Sequence, residues 1–438
     1  MSKKEHKFSF SRFLLFQVII IGVLKMGDTI FFFFEQNYFN TFLVQVLEYD
    51  DIYVSILVSS SAIAGLILQF VWGIISDNTR SKYGRRKPFL IFGGLIAGTS
   101  MILYAFSNNF ITCFILDVVL IGIGANAYLA GERSVIPDTV EKKLRGRANG
   151  IINIVGNLGL LIALIFFLLA DMLFSIPNPN GPGKIIPRHG HLVLFMVGGF
   201  GIIIATILGA LFLKEKPVEE LPPRNTFVKD LTSTFRFSEL KNQKEFWKIS
   251  GALIIFRTGS SIIMPFLFLY IFSLGMSTVK LLIVVGVAFP SLFIITYLLG
   301  KISDKYGRKR FLPIAIVVMV IGVSLTPLNG TETDLKYGMV ILTIPFIMIA
   351  LLGFAGILDA WSQDLFPADK RGQFNGIVNV SQTISQVIGS WVSGLVVSLT
   401  GTYRWIFLVA GGFYLLSIPF FFLIKDTIKT KETIENNG

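Results

Sequence analysis

Twelve apolar runs, each about 20 residues or longer and closed by a polar segment, constrain this 438-residue chain more than any other feature. A bilayer core of about 30 Å is crossed by about 20 helical residues rising 1.5 Å each. Inside it every backbone polar group must be satisfied within the segment, so a run of this kind folds as a helix. The runs lie at 13–42, 52–76, 88–107, 110–132, 147–174, 191–213, 248–272, 279–301, 311–328, 338–362, 373–400 and 404–424. The sequence therefore predicts an all-α membrane protein with twelve transmembrane helices, multi-pass in the cell membrane. AVILMFWYC residues make up 53% and charged residues 15%; soluble domains carry about 25% charge, so an ordinary cytosolic enzyme is excluded. Lys3, Lys4, Lys7 and Arg12 precede the first run as in a signal peptide, but the run exceeds an h-region and lacks a cleavage site. It is read as a span.

The formal net charge of +12 would suggest nucleic acid on a soluble protein. Here the basic residues sit between spans, and no nucleic-acid partner is expected. With the N-terminus inside, the inner segments hold 32 Lys and Arg and the outer loops 5. That bias predicts both termini in the cytoplasm. The polar stretch 214–247, with Pro222-Pro223 and an amphipathic helix near Phe227–Leu240, reads as a cytoplasmic linker. It separates an N-terminal six-helix half, 1–213, from a C-terminal half, 248–438. The outer loop 176–190, rich in Pro, Asn and Gly, should be irregular.

The halves repeat each other. Gly73-Ile-Ile-Ser-Asp77, followed by Lys82-Tyr-Gly84-Arg85-Arg86-Lys87, recurs as Gly300-Lys-Ile-Ser-Asp304 with Lys305-Tyr-Gly307-Arg308-Lys309-Arg310. Arg145-Gly-Arg-Ala-Asn149-Gly150 recurs as Arg371-Gly-Gln-Phe-Asn375-Gly376. The offsets are 227 and 226 residues. Two six-span repeats in one orientation are the plan of many secondary carriers. Gly73 and Gly300 should allow close helix approach. Asp77 and Asp304 should pair with the arginines that follow, breaking and reforming as the halves rock; Arg80 belongs to the same motif.

This doubled G-x-x-S-D…G-R-[RK] signature resembles the loop motif of the major facilitator superfamily. The string from Asp77 to Phe89 is similar to the glycoside–pentoside–hexuronide:cation symporters (the melibiose-carrier group) and to the sucrose carriers. So is Asn126 with Arg133-Ser-Val-Ile-Pro137-Asp138. The resemblance implies alternating access around a central cavity lined by spans 1, 4, 7 and 10, and a sugar or glycoside as small-molecule substrate. Sodium-using members place carboxylates where this chain has Gln69 and Gly65. Proton coupling or facilitated diffusion is therefore the expectation.

A charge at the bilayer centre costs several kcal/mol on insertion scales, so each one needs a reason. The intramembrane charges are Lys25, Asp28 and Glu35 in span 1, Asp117 in span 4, Arg257 in span 7 and Asp359 in span 10. They fall on the first helix of every three-helix unit. At 1.5 Å per residue Asp28 lies about 22 Å along span 1, and Asp117 about 10 Å into span 4 from the other side. The two could share a site and, as close carboxylates, hold a proton. Equally, Lys25 and Asp28 could be a fixed structural pair. Arg257 could neutralise Asp359 or contact substrate. Asn126 and Tyr128 in span 4, and Asn379, Gln382, Gln386 and Trp391 in span 11, suit sugar hydroxyls and ring faces; helix–helix hydrogen bonding explains them as well.

No G-x-x-x-x-G-K-[ST] provides an ATP site, and neither a cofactor nor an enzyme cluster is expected. His6, His189 and His191 are read outside the spans, with His189 and His191 in a solvated loop rather than a metal site. Cys113 should be a buried inert thiol. Asn329-Gly-Thr331 fits a glycosylation acceptor. The reading is a secondary carrier of a sugar or glycoside, coupled to protons through Asp28. The alternatives are a carrier of lipid, amphiphile or another small solute, and a transporter-like sensor that does not transport.

Overall fold

The computed structural model describes residues 11–141, 143–215, 220, 244–365 and 371–425, with 371–375 by backbone alone. Lys3, Lys4, His6, Lys7, the helix expected near Phe227–Leu240 and most of 214–247 lie outside the described residues, as do the side chains of Arg371 and Asn375. Among the described residues twelve helices are long and apolar enough to cross a membrane. They are α1 (Arg12–Gln45), α2 (Asp51–Asn78), α3 (Lys87–Tyr104), α4 (Phe110–Thr139), α5 (Arg145–Phe174), α6 (Arg188–Phe212), α7 (Lys244–Ser273), α8 (Thr278–Tyr306), α9 (Arg308–Asn329), α10 (Tyr337–Asp364), α11 (Arg371–Thr400) and α12 (Trp405–Phe422). Each expected run corresponds to one helix. The chain is a multi-pass integral membrane protein built from two six-helix repeats. Within each repeat the helix ends are distinguished by charge: the basic end carries Arg85 in the first and Arg308 in the second, and the far end of each lies opposite.

The largest boundary difference is in α4, which continues to Thr139 rather than stopping near 132. Hydropathy marks the lipid-embedded part of a helix, and α4 runs on into polar surroundings. The outer loop is also more ordered than expected. Ile176–Pro177 (β1) pairs antiparallel with Lys184–Ile185 (β2), and α6 starts at Arg188 directly after Pro187.

Besides the 3-10 turns Met264–Phe266 of α7 and Thr326–Asn329 of α9, one stretch in each repeat departs from α-helical winding in the other direction. Ile115–Ile121 of α4 and Ile349–Gly353 of α10 are π-helical. An inserted residue of this kind is uncommon and is frequent at functional sites. Asp117 lies on the first of them.

The chain forms two compact units. Unit 1 comprises Met1–Phe42, Ala64–Phe174 and Pro187–Leu231; unit 2 comprises Leu43–Ile63, Ser175–Ile186 and Thr232–Gly438. In unit 1, glycines bring helices into backbone contact. A β-carbon on Gly98 of α3 would lie 2.6 Å from the Gly199 carbonyl of α6, and one on Gly93 2.5 Å from the Gly124 carbonyl of α4. In unit 2, a β-carbon on Gly389 of α11 would lie 2.5 Å from Ser261 of α7. Close approach is thus supplied by mid-helix glycines. It is not supplied by Gly73 or Gly300, where a β-carbon would meet nothing within 4 Å.

Asn329 is not an accessible glycosylation acceptor. It is buried in unit 2, and its amide donates to the Tyr270 hydroxyl at 2.9 Å and to Thr343 Oγ1 at 3.0 Å. Asn329→Ala is expected to destabilise the fold by about 1–3 kcal/mol, because two buried hydroxyls lose their partner. Thermal unfolding in detergent checks this, and an unchanged midpoint contradicts it.

Candidate functional site

The buried charge in unit 1 is built on α1 and α4. Lys25 Nζ donates to Asp28 Oδ2 at 2.6 Å, one turn apart on α1. Asp28 is buried, and its Oδ1 has no hydrogen-bond partner. Glu132 of α4 is buried as well, within electrostatic reach of both Lys25 and Asp28. Hydropathy alone places Glu132 at the inner end of its span. The continuation of α4 to Thr139 puts it two turns inside the helix.

Asp28 and Asp117 do not form a pair. The middle of α1 falls near residue 28 and that of α4 near residue 124. Asp117 therefore sits about 11 Å from the α4 midpoint toward the far end. Glu35 is displaced by about 10 Å in the same direction on α1, and it is Glu35 whose charge reaches Asp117. Asp117 is buried with one oxygen unpartnered. Beside the pair Tyr104 stacks on Phe39 with ring centroids 3.8 Å apart. Cys113 is buried, as expected.

Tyr128 and Asn126 are occupied by the fold. Tyr128 is fully buried and donates to the Leu24 carbonyl at 2.8 Å, tying α4 to α1, so it is not a substrate contact. Asn126 donates to the Gly122 carbonyl at 2.8 Å within its own helix. Its oxygen is left for other use.

In unit 2 Arg257 of α7 donates to Asp359 of α10 at 2.6 Å, one of the two roles the sequence leaves open for it. Arg257 Nη1 is buried without a partner. On α11, Asn379, Gln382 and Gln386 fall within about 60° of one another at 3.6 residues per turn, and all three are at least partly exposed. The exposed apolar residues Ile384, Ile388, Leu395 and Leu399 centre about 160° away. One stripe suits lipid, and the amide stripe points away from it. Trp391 lies only about 50° from the centre of the apolar stripe. That places it with the lipid-facing residues and removes it from the substrate group.

His191 is corrected too. It lies in the first turn of α6, fully buried, with Nε2 2.9 Å from Thr41 Oγ1 and its ring against Tyr38, Phe42 and Phe195. Helical winding sends His189 and His191 to opposite sides, and among the described residues no group of three metal-ligating side chains occurs.

At the basic end of unit 1 the motif side chains form one network. Asp77 accepts from Arg85 at 2.9 Å and from Arg86 at 2.7 Å. Arg86 also donates to Asp138 at 2.9 Å and to Ser76 Oγ at 2.6 Å. Arg80 donates to the backbone carbonyls of Asp77 and Thr79. The second copy is built differently. Arg308 donates to Asp364 at 2.7 Å, while Asp304 is exposed and makes no ion pair among the described residues. Among the described residues only the first copy pairs its aspartate with the arginines that follow.

At the far end of unit 2, α2 closes against α11. Ser55 Oγ donates to the Ser390 carbonyl at 2.6 Å, and the Tyr403 hydroxyl to Asp51 at 3.1 Å. The Gly183 N–H is held by Glu332, and Asn180 donates to Glu48 at 2.9 Å.

Residues 28–358 and 292–437 match the Major Facilitator Superfamily. The chain belongs to that superfamily. Its carriers are generally not enzymes. The solved structure of a mutant of the nucleoside transporter NupG shares the fold at a TM-score of 0.72, covering 94% of this chain and 100% of that one at 16% identity. The multi-drug resistance efflux pump PmrA of Streptococcus pneumoniae serotype 4 is 27% identical over 275 residues, 61% of each protein. The general alpha-glucoside permease of Schizosaccharomyces pombe is 28% identical over 126 residues, 24% of this chain and 23% of that one. The matched part is thus less than two thirds of either curated relative. The two curated relatives are thus a multi-drug resistance efflux pump and a general alpha-glucoside permease.

Proposed function

We propose that this transporter carries a sugar or glycoside by proton-coupled alternating access, with the basic end in the cytoplasm. The observation that carries the reading is Asp28: buried, ion-paired through one oxygen, and unpartnered at the other. Lys25 pairs directly with Asp28 alone, and Arg133 is a second cation within electrostatic reach of Asp28 and Glu132; with two buried carboxylates and one direct ion pair, the cluster has a place to hold a proton. Solute binding that draws on either carboxylate then takes up a proton. The amide stripe of α11 and the Arg257–Asp359 pair supply the donors and acceptors that hydroxylated solutes need. Residues 1–213 and 248–438 act as the two rocking halves joined by 214–247, and the Asp77–Arg85–Arg86–Asp138 network acts as the gate at the basic end.

The test is solute-triggered proton movement in sealed proteoliposomes, across a panel of mono- and disaccharides with and without sodium. Alkalinisation outside on adding one sugar, independent of sodium, is the expected result. Silence across the panel, with labelled sugars excluded from the lumen, overturns it. A second reading has one observation of its own. Glu35 and Asp117, beside the Phe39–Tyr104 stack, suit an amphiphilic cation. Proton release driven by such a cation in the same vesicles would favour efflux.

A further inference from the structure

Glu215, three residues past the end of α6, is the first carboxylate of the linker, and nothing in the motif itself accounts for where it lies. Its Oε2 accepts from the N–H groups of Arg85 at 2.6 Å and Arg86 at 2.8 Å, and its Oε1 from that of Lys87 at 2.6 Å. These are the free donors at the start of α3, where the helix dipole also favours negative charge. Gly84 makes the approach possible. Its φ is +112°, and a β-carbon there would lie 2.8 Å from the Glu215 carboxyl. The linker start is pinned on its other side as well: Gln17 of α1 donates to the Phe212 carbonyl at 3.2 Å and accepts from the Lys214 N–H at 2.8 Å. Lys87 Nζ adds a bond to the Ala210 carbonyl at 3.0 Å.

We propose that Glu215 is a positioning residue for the gate: by fixing the backbone of Arg85–Lys87 it aims both guanidinium groups at Asp77 and Asp138, so the linker sets how firmly the basic end closes. The inference rests on the gating role given above to the Asp77 network. The sequence pattern, though not its structure, recurs after α12 as Ile424-Lys425-Asp426, with Asp426 outside the described residues.

Site-specific labelling tests it on the full reconstituted chain, without a known solute. In a Cys113→Ser background, Val135→Cys places a thiol at a buried position of α4 one turn from Asp138, and Ser100→Cys places one at a buried position one turn before the far end of α3 as a control. The probe is a membrane-impermeant maleimide applied at the basic end. Glu215→Ala should speed labelling at 135 by about fivefold or more and leave position 100 unchanged. Glu215→Gln, which keeps an acceptor oxygen but no charge, should fall between. Faster labelling at both positions means general loosening and overturns the positioning role. No change at 135 overturns it too, provided Asp77→Ala speeds labelling there. If Asp77→Ala has no effect either, the gating reading fails, and the positioning role with it.

Discussion

Asp28→Asn is expected to abolish proton-driven accumulation while leaving solute exchange down its gradient. One proton per solute lets a pH difference of one unit support about a tenfold concentration ratio, since one pH unit is worth about 1.4 kcal/mol. The wild type should approach that ratio in proteoliposomes, and the variant should stop at a ratio of about one. The amide fills the same volume but cannot take up or release a proton. It also removes the ion pair to Lys25 at 2.6 Å, so an unpaired ammonium could impair the carrier by itself; breaking a buried pair costs about 3–5 kcal/mol. The double variant Lys25→Met with Asp28→Leu separates the two effects. If Asp28 is only a counter-ion, removing both charges restores accumulation. If it carries the proton, folding and exchange recover but accumulation does not. Accumulation by the double variant would therefore remove Asp28 from the coupling role.

The features legible in the sequence are those the bilayer enforces one segment at a time. Length and hydropathy locate all twelve helices, because a span needs only its own backbone bonds and about 20 apolar residues. The cost of intramembrane charge singles out Lys25, Asp28, Glu35, Asp117, Arg257 and Asp359, and opposite charge makes the Arg257–Asp359 pair one of the two readings the sequence leaves open. Features that depend on where a helix ends, or on which way a side chain turns, are not legible. Hydropathy cannot see that α4 continues to Thr139. It accordingly sets Glu132 at the span's edge, and it misjudges the depth of Asp117 enough to pair it with Asp28 rather than Glu35. Composition makes Trp391 a sugar platform, but its angle on α11 sets it beside the apolar stripe.

Backbone chemistry explains the remaining differences. A polar loop signal at His189 and His191 is overridden by Pro187, whose extended backbone starts α6 early and turns His191 inward. The glycines of the repeated motif suggest close packing, yet the close contacts use Gly93, Gly98, Gly199 and Gly389, which carry no motif. The π-helical turns of α4 and α10 leave no hydropathy signature, since one extra residue per helix does not change its apolar character. Glu215 looks in the sequence like one more solvated linker charge. A signal is available in Gly84: a glycine just before two arginines and a helix start marks a place where the backbone donors are approached closely.

Gly394→Leu should have the second large effect, at the far end of unit 2. A β-carbon at 394 would lie 2.0 Å from Ser55 Oγ and 3.1 Å from Ser55 Cβ. Rotating the hydroxyl away does not make room, and it forfeits the 2.6 Å bond to the Ser390 carbonyl. Overpacking of this kind costs about 1–3 kcal/mol. Charged against the closed contact between α2 and α11 alone, that shifts its opening equilibrium by about 5- to 150-fold. Ser59, one turn from Ser55 and buried, reports the opening. As Ser59→Cys in the Cys113→Ser background, it should react with an impermeant maleimide from the far end at least about fivefold faster in Gly394→Leu. Solute turnover should fall, because a carrier must close this end to release its load at the other. Replacing Ser55 by Gly beside Gly394→Ala vacates the space the new methyl needs and should return labelling toward the wild-type rate. Unaltered labelling in Gly394→Leu would mean that the contact yields without opening, and that α2 and α11 are packed here without acting as a gate.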